Sequence, residues 1–247
     1  MSRTAGIVVI GNEILSGQTR DENAVYLLGQ LRELGVDVRR LAVIPDEVAP
    51  VRDEIRRSAR EFDYVFTSGG VGPTHDDVTM SGIASAFRRR TSRNPQLEAI
   101  LHGYYQDAIT EATLRMADLP EGAVLLGEGG GWFPVVAVEN VYIFPGVPEI
   151  FRAKFETVRE MFRESPFYSA QVFLRADEGR VAALLGDIVG RYPGLRVGSY
   201  PSLSHPDYSL KLLLDSKDPR VLDAAHKALL AGLDAMSIAP IRIRGAG

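Results

Sequence analysis

Short apolar runs alternate with amphipathic stretches over the first 165 residues, and this alternation restricts the fold more than any other feature. The run 6–11 is apolar and bounded by glycines, as in a strand buried on both faces of a sheet. Apolar residues then recur at intervals of three and four through 24–34, which predicts a helix that ends at Gly35. The same order repeats in strands at 36–44 and 64–67 around a helix at 48–62. Only a crossover returns the chain to begin another parallel strand, so the pattern predicts an α/β fold.

A boundary at Ser165-Pro166 divides the chain into two predicted domains. Residues 1–165 are expected to form an α/β domain around a mostly parallel sheet. Residues 166–247 predict a small α+β domain with the order β-α-β-β-α, in which Asp218-Pro219 begins the last helix. Charge supports the division, because residues 1–164 carry 18 basic and 24 acidic side chains and residues 165–247 carry 10 and 8.

The composition excludes several classes of function. With no cysteine there is no disulfide framework, thiolate zinc site or thiol nucleophile. A net charge of −4 lacks the basic footprint of a general nucleic-acid binder, so we expect no nucleic-acid partner. No apolar run approaches the roughly 18 residues of a membrane span, and Met1 to Arg3 leads into a strand rather than a signal peptide. We therefore expect a cytoplasmic protein with no membrane partner.

A glycine-rich loop follows the third predicted strand and precedes a helix. It reads Ser68-Gly69-Gly70-Val71-Gly72-Pro73-Thr74-His75-Asp76-Asp77-Val78-Thr79. In an open α/β sheet ligands bind beyond the carboxyl ends of the strands, where glycines let backbone N–H groups approach a phosphate. The spacing fits neither a P-loop nor a dinucleotide fingerprint. Two carboxylates would repel a phosphate unless a divalent cation intervened, so Asp76 and Asp77 are predicted metal ligands; the alternative is a tight turn with an aspartate capping the helix.

Two further loops are expected at the same sheet edge, and a third polar segment follows a later strand. The first holds Gly11, Asn12 and Glu13, with Asp21 and Asn23 beyond it. Asp46 follows the second strand, and Pro145-Gly146 follows the strand at 141–144. Each has a structural alternative, because Asp21 and Asp46 are good helix caps and Pro145-Gly146 forms a rigid turn. Trp132 is either a lid that stacks on a ring or a packing residue.

These motifs resemble the MoaB/Mog molybdopterin-binding family in its CinA-type branch, and in particular the molybdopterin-binding-like domain of eukaryotic-type FAD synthases. The resemblance is carried by residues 11–15 with Asp21 and Asn23, and by 45–47, 68–79, 134–136, 140–149, 198–201 and 208–216. The smaller domain is similar to the KH-like part of CinA proteins but has no Gly-x-x-Gly clamp, which argues against RNA binding. Residues 127–134 also depart from the usual CinA pattern, which leaves ligand specificity there open.

The resemblance implies a three-layer α/β/α fold for residues 1–165. It also implies an enzyme that binds a molybdopterin-like or flavin/ADP nucleotide and hydrolyses the pyrophosphate of FAD or ADP-ribose with Mg²⁺, Mn²⁺ or Co²⁺. Asp76 and Asp77 would hold the metal, and Glu13 or Asp46 would act as the base or as a further ligand. The residues expected to bind the nucleotide are Gly11, Asn12, Ser68, Gly69, Gly70, Gly72, Thr74, His75, Thr79, Pro145 and Gly146.

Two other functions stay open at this point. One is pterin adenylyl or molybdate transfer in molybdenum-cofactor biosynthesis, and the other is a non-catalytic pterin-binding module, since a fold does not dictate activity. The resemblance also implies a homo-oligomer. We expect neither FAD synthesis nor the CinA deamidase activity from these 247 residues.

Overall fold

The computed structural model describes residues 3–127 and 133–245, so the predicted role of Trp132 lies outside the described residues. The chain forms two compact units, Met1–Glu164 and Ser165–Gly247. No helix in the described ranges combines the length and the apolar character that a membrane crossing needs.

The first unit is built on a mostly parallel sheet, as predicted. Its strands are β1 (Thr4–Ile10), β2 (Asp37–Ile44), β3 (Tyr64–Ser68), β4 (Thr91–Arg93), β5 (Asp118–Pro120), β6 (Val124–Leu126), β7 (Val135–Val138) and β8 (Val141–Phe144). Six of them form a sheet in the order β2-β1-β3-β8-β7-β6, in which β2, β1, β3 and β8 are parallel and β7 runs against both neighbours. The short pair β4 and β5 was not predicted, because three residues are too few to show a period.

Helices follow the strands as the periodicity predicts. They are α1 (Asn12–Leu15), α2 (Asn23–Glu33), α3 (Val48–Glu61), α4 (Thr79–Ala86), α5 (Pro95–Tyr105), α6 (Glu111–Leu114) and α7 (Pro148–Val158). The helix α6 is short, because after Leu114 the chain tightens into a 3₁₀ turn at Arg115–Ala117. The helix that contains Phe151 likewise ends at Val158 and continues as a 3₁₀ turn to Phe162.

The two faces of the sheet carry separate cores, which confirms the three layers. On one face α2 and α7 pack side chains such as Leu27 and Phe155 against Ile7. On the other face α3, α4 and α5 pack side chains such as Ile55 against Val8. Neighbouring residues of β1 thus point into opposite cores, which explains why that strand is apolar throughout.

The second unit is a small antiparallel α+β structure. It runs β9 (Tyr168–Leu174), α8 (Glu178–Arg191), β10 (Arg196–Pro201), β11 (Leu210–Ser216), α9 (Pro219–Ala235) and β12 (Arg242–Arg244). The sheet order is β10-β11-β9-β12, and its core includes Leu212, Ile188 and Leu229. The Asp218 side chain caps α9 by accepting a hydrogen bond from the Arg220 amide at 2.8 Å. The β-α-β-β-α order is therefore confirmed, with β12 as an exposed addition that pairs with β9.

Candidate functional site

The loops after β1 and β2 meet at the carboxyl edge of the parallel strands. The Gly11 amide donates to the Ile44 carbonyl at 3.1 Å, and the Asn12 amide donates to Asp46 Oδ2 at 2.7 Å. The N-cap of α3 is Glu47, so Asp46 does not cap that helix. One carboxylate oxygen of Asp46 therefore holds the two loops together.

Asn23 joins three of the loops at this edge. Its buried Nδ2 donates to Ser68 Oγ at 2.9 Å and to the Gly146 carbonyl at 2.8 Å. Asp21 accepts from the amides of Asn23 and Ala24, the first two residues of α2, at 3.1 and 3.2 Å, although the N-cap position itself is Glu22. The buried Asn23 Oδ1 accepts no hydrogen bond from the described part of the chain, so an acceptor remains available there.

Gly69 and Thr79 fix the path of the glycine loop. Gly69 has φ +100°, and a Cβ on it would lie 2.1 Å from the Ile10 carbonyl oxygen, so only glycine fits. Its amide donates to the Phe144 carbonyl at 3.1 Å, so the expected role of Gly69 as an amide donor to a phosphate is wrong. The fully buried Thr79 donates its hydroxyl to the Gly69 carbonyl at 2.9 Å and its amide to the Gly70 carbonyl at 3.1 Å. Thr79 therefore shapes the loop from within the protein.

The next three residues leave their amides available. Within the described ranges, the N–H groups of Gly70, Val71 and Gly72 donate no hydrogen bond. The guanidinium of Arg115 donates to the Pro73 carbonyl at 3.2 Å, which brings a positive charge to the same loop. Successive amides and a cation form a site suited to an anion such as a phosphate. Arg115 lies 42 residues from Pro73 in sequence, so the motif gave no sign of it.

The two aspartates after the loop differ in their surroundings. Asp77 Oδ2 accepts from the Thr74 amide at 2.8 Å and from its hydroxyl at 2.5 Å, which closes a turn. Asp76 is exposed, and the neighbouring Thr74 hydroxyl lowers the pKa of its carboxyl. His75 is also exposed, with Nδ1 3.9 Å from Asp76 Oδ1. The N-cap of α4 is Val78, so the alternative in which an aspartate caps this helix is wrong.

The described carboxylates do not form a complete metal site on their own. Among the described residues, no group of three or more histidine, aspartate or glutamate side chains converges on a point. Asp76 and the second oxygen of Asp77 would supply two ligands at most. That number is enough for Mg²⁺ in nucleotide enzymes, where the ion uses one or two carboxylates together with the phosphates of the substrate.

Several of the predicted residues line one small cavity. Its volume is about 80 Å³, and its walls include Glu13, Asn23, Ser68, Gly69 and Gly146. The Glu13 carboxylate lies over Gly11, since a Cβ there would be 2.6 Å from Glu13 Oε1. In the described structure Thr74 to Asp77 stand outside this cavity. The structure thus gathers the loops after β1, β3 and β8 and leaves the Asp76 turn beside them.

Comparison with protein families gives a match for each of the two units. Residues 6–164 match the family described as "probable molybdopterin binding domain", and the chain belongs to that family. Residues 166–242 match the family described as "FAD synthase, middle domain".

Individual proteins and one solved structure are similar to this chain over different parts of their length. A probable FAD synthase from Caenorhabditis briggsae is 31% identical over 256 residues, 92% of this chain and 49% of that protein. A protein from Archaeoglobus fulgidus is 34% identical over 195 residues, 79% of this chain and 84% of that one. The chain therefore spans about half the length of its probable FAD synthase relative. The crystal structure of CinA, of unknown function, from Thermoplasma acidophilum is 28% identical with a TM-score of 0.61, covering 66% of this chain and 100% of that one.

Proposed function

We propose that the first unit is a metal-dependent nucleotide pyrophosphatase that hydrolyses FAD or ADP-ribose. The observation that carries the proposal is the run of available amides at Gly70, Val71 and Gly72 beside the exposed, ionised Asp76. The similarity to a protein named probable FAD synthase supports a flavin or adenine nucleotide as the ligand.

The reaction breaks the phosphoanhydride bond. A water oxygen forms a bond to one phosphorus, and the bridging oxygen leaves with its electron pair on the other phosphate, so FAD yields AMP and FMN. The free amides and Arg115 bind the phosphate oxygens and stabilise their charge as the new bond forms. A divalent cation held by Asp76 and Asp77 would offset the remaining phosphate charge.

Glu13 is the better placed of the two candidate bases. It lines the small cavity, whereas Asp46 Oδ2 already accepts the Asn12 amide. Glu13 would accept the proton of the attacking water, and Asp46 would keep the loops after β1 and β2 in register.

The test is release of AMP from FAD and from ADP-ribose by the purified protein, with Mg²⁺, Mn²⁺ or Co²⁺ added. We expect turnover that EDTA abolishes and that falls at least about 100-fold in the variant Asp76→Asn. Asp234→Asn, which changes an exposed carboxylate on α9 of the second unit, is the matched control and should keep full activity.

The outcomes separate the candidate functions. Full activity of Asp76→Asn would overturn the assignment of that residue. Absence of AMP with all three metals would overturn the pyrophosphatase, and ATP-dependent adenylation of a pterin by the same preparation would replace it with the transferase.

A further inference from the structure

A second, larger cavity of the first unit contains none of the predicted catalytic residues. It has a volume of about 190 Å³ and is lined mostly by apolar and aromatic side chains, among them Leu101, Tyr104, Tyr105 and Phe133. The Tyr104 and Phe133 rings meet edge to face with their centroids 5.5 Å apart. Flat aromatic rings pack well against such walls.

One cationic side chain lies in this apolar wall. Lys154 extends from α7, and its amine donates to the Pro134 carbonyl at 2.9 Å. Burial alone lowers the pKa of Lys154 to about 8, with no carboxylate of the described chain acting on it. An amine has three donors and no acceptor, so two donors remain for another group. Holding a cation in apolar surroundings without a charged partner destabilises the fold, which indicates a use for the amine.

The larger cavity adjoins the loops of the proposed phosphate site. Val71, one of its lining residues, lies between Gly70 and Gly72, whose amides are available. Pro145, another lining residue, precedes Gly146 of the small cavity. A ring in the larger cavity and a phosphate on the glycine loop can therefore belong to one molecule.

We propose that this cavity binds a flat, carbonyl-bearing ring of the ligand and that the Lys154 amine donates to a ring carbonyl oxygen. The inference rests on the proposed function and narrows it. A flavin or a pterin has such carbonyls, whereas adenine presents an amino group, itself a donor, where they have an acceptor. The ligand class is therefore an oxo-ring nucleotide such as FAD, in preference to ADP-ribose.

The test is equilibrium binding of riboflavin, pterin and adenosine to the full chain without metal, measured by calorimetry. These probes have no phosphate, so the result does not depend on hydrolysis. We expect saturable binding of riboflavin or pterin that weakens about tenfold in Lys154→Met, the loss of one hydrogen bond from a charged donor. Lys227→Met, which changes an exposed lysine of the second unit, is the control and should bind as the unaltered protein does. Lys154→Arg should keep part of the affinity.

The relative affinities identify the ring. Tighter riboflavin binding identifies a flavin, and tighter pterin binding identifies a pterin; both support the subsite. Tighter binding of adenosine, an unchanged affinity in Lys154→Met, or no saturable binding of any probe would overturn it. Continued AMP release in that case would leave the pyrophosphatase standing, and failed AMP release with intact riboflavin binding would leave the ring subsite standing.

Discussion

The small cavity and the larger apolar cavity described above are held in shape by different interactions. Around the small one, hydrogen bonds from Asn23 and the backbone path of Gly69 fix the positions of the loops. Around the large one, apolar side-chain volume forms the walls and Lys154 supplies a single polar group. Substitutions at the small cavity should therefore move the loops and lower stability, whereas substitution of Lys154 at the large cavity should change its one polar group and leave the walls in place.

The largest loss of stability is expected for substitution of Gly69, because the surrounding backbone leaves no space for a side chain. Gly69→Ala places a Cβ on backbone with φ +100°, 2.1 Å from the Ile10 carbonyl oxygen. We expect a loss of about 3 kcal/mol or more in the free energy of unfolding, measured in urea. Gly29→Ala in α2 meets open space and should be neutral or slightly stabilising. Equal stability of the two variants would show that the loop is not fixed as described.

Substitution of Lys154 is expected to increase the free energy of unfolding. Because its folded pKa of about 8 lies below the ordinary 10.5, the cost of the buried charge is fully present below pH 8 and disappears as pH rises toward 10.5. Lys154→Met should therefore raise the free energy of unfolding by up to about 3 kcal/mol at pH 7.

The gain should shrink between pH 8 and 10.5. Tyr104 and Tyr105, the other titratable groups in the same wall, are present in both proteins. If Lys154→Met is no more stable at pH 7, or if its added stability does not depend on pH, the Lys154 amine is not a buried charge without a charged partner.

The difference between the two cavities also explains which parts of the structure could be predicted from the sequence. The alternation of apolar runs revealed the strands and the two cores, and the glycine loop with Asn23 revealed the sheet edge, because contiguous residues carry those signals. The larger cavity combines α5, α7, β7, β8 and single loop residues such as Val71, and no local pattern joins them. The only local sign was a lysine at position 154 between the core residues Phe151 and Phe155.

The sequence also did not show which loop residues contact a ligand and which form hydrogen bonds within the protein. Gly69 and Thr79 read as ligand contacts, yet their polar groups are satisfied within the protein. Arg115 had no motif at all, since the tertiary fold alone brings it to Pro73. Spacing along the chain locates a loop, but it does not say which donors remain free after folding.

A moderate effect is expected at Asn23, whose amide joins the loops. Asn23→Ala removes two hydrogen bonds and leaves the Gly146 carbonyl without that donor, so we expect a loss of about 2 kcal/mol in urea unfolding. Asn12→Ala changes an exposed side chain whose backbone amide makes the loop contact, and it should alter stability by less than about 0.5 kcal/mol. A neutral result at Asn23 would show that packing, rather than its amide, holds this edge.

The smallest effect on stability is expected at Asp76. Its carboxylate is exposed, so Asp76→Asn should unfold at the same urea concentration as the unaltered protein. A clear shift of the midpoint would mean that loss of turnover in this variant reports damage to the loop rather than loss of a ligand.

The most direct test of one ligand that reaches from the glycine loop into the larger cavity is AMP release from FAD and ADP-ribose, measured side by side in the unaltered protein and in Lys154→Met. We predict a higher kcat/KM for FAD, and a loss in Lys154→Met of about tenfold for FAD with little change for ADP-ribose. An equal loss for both substrates would contradict the ring subsite, and no AMP from either substrate would contradict the pyrophosphatase itself.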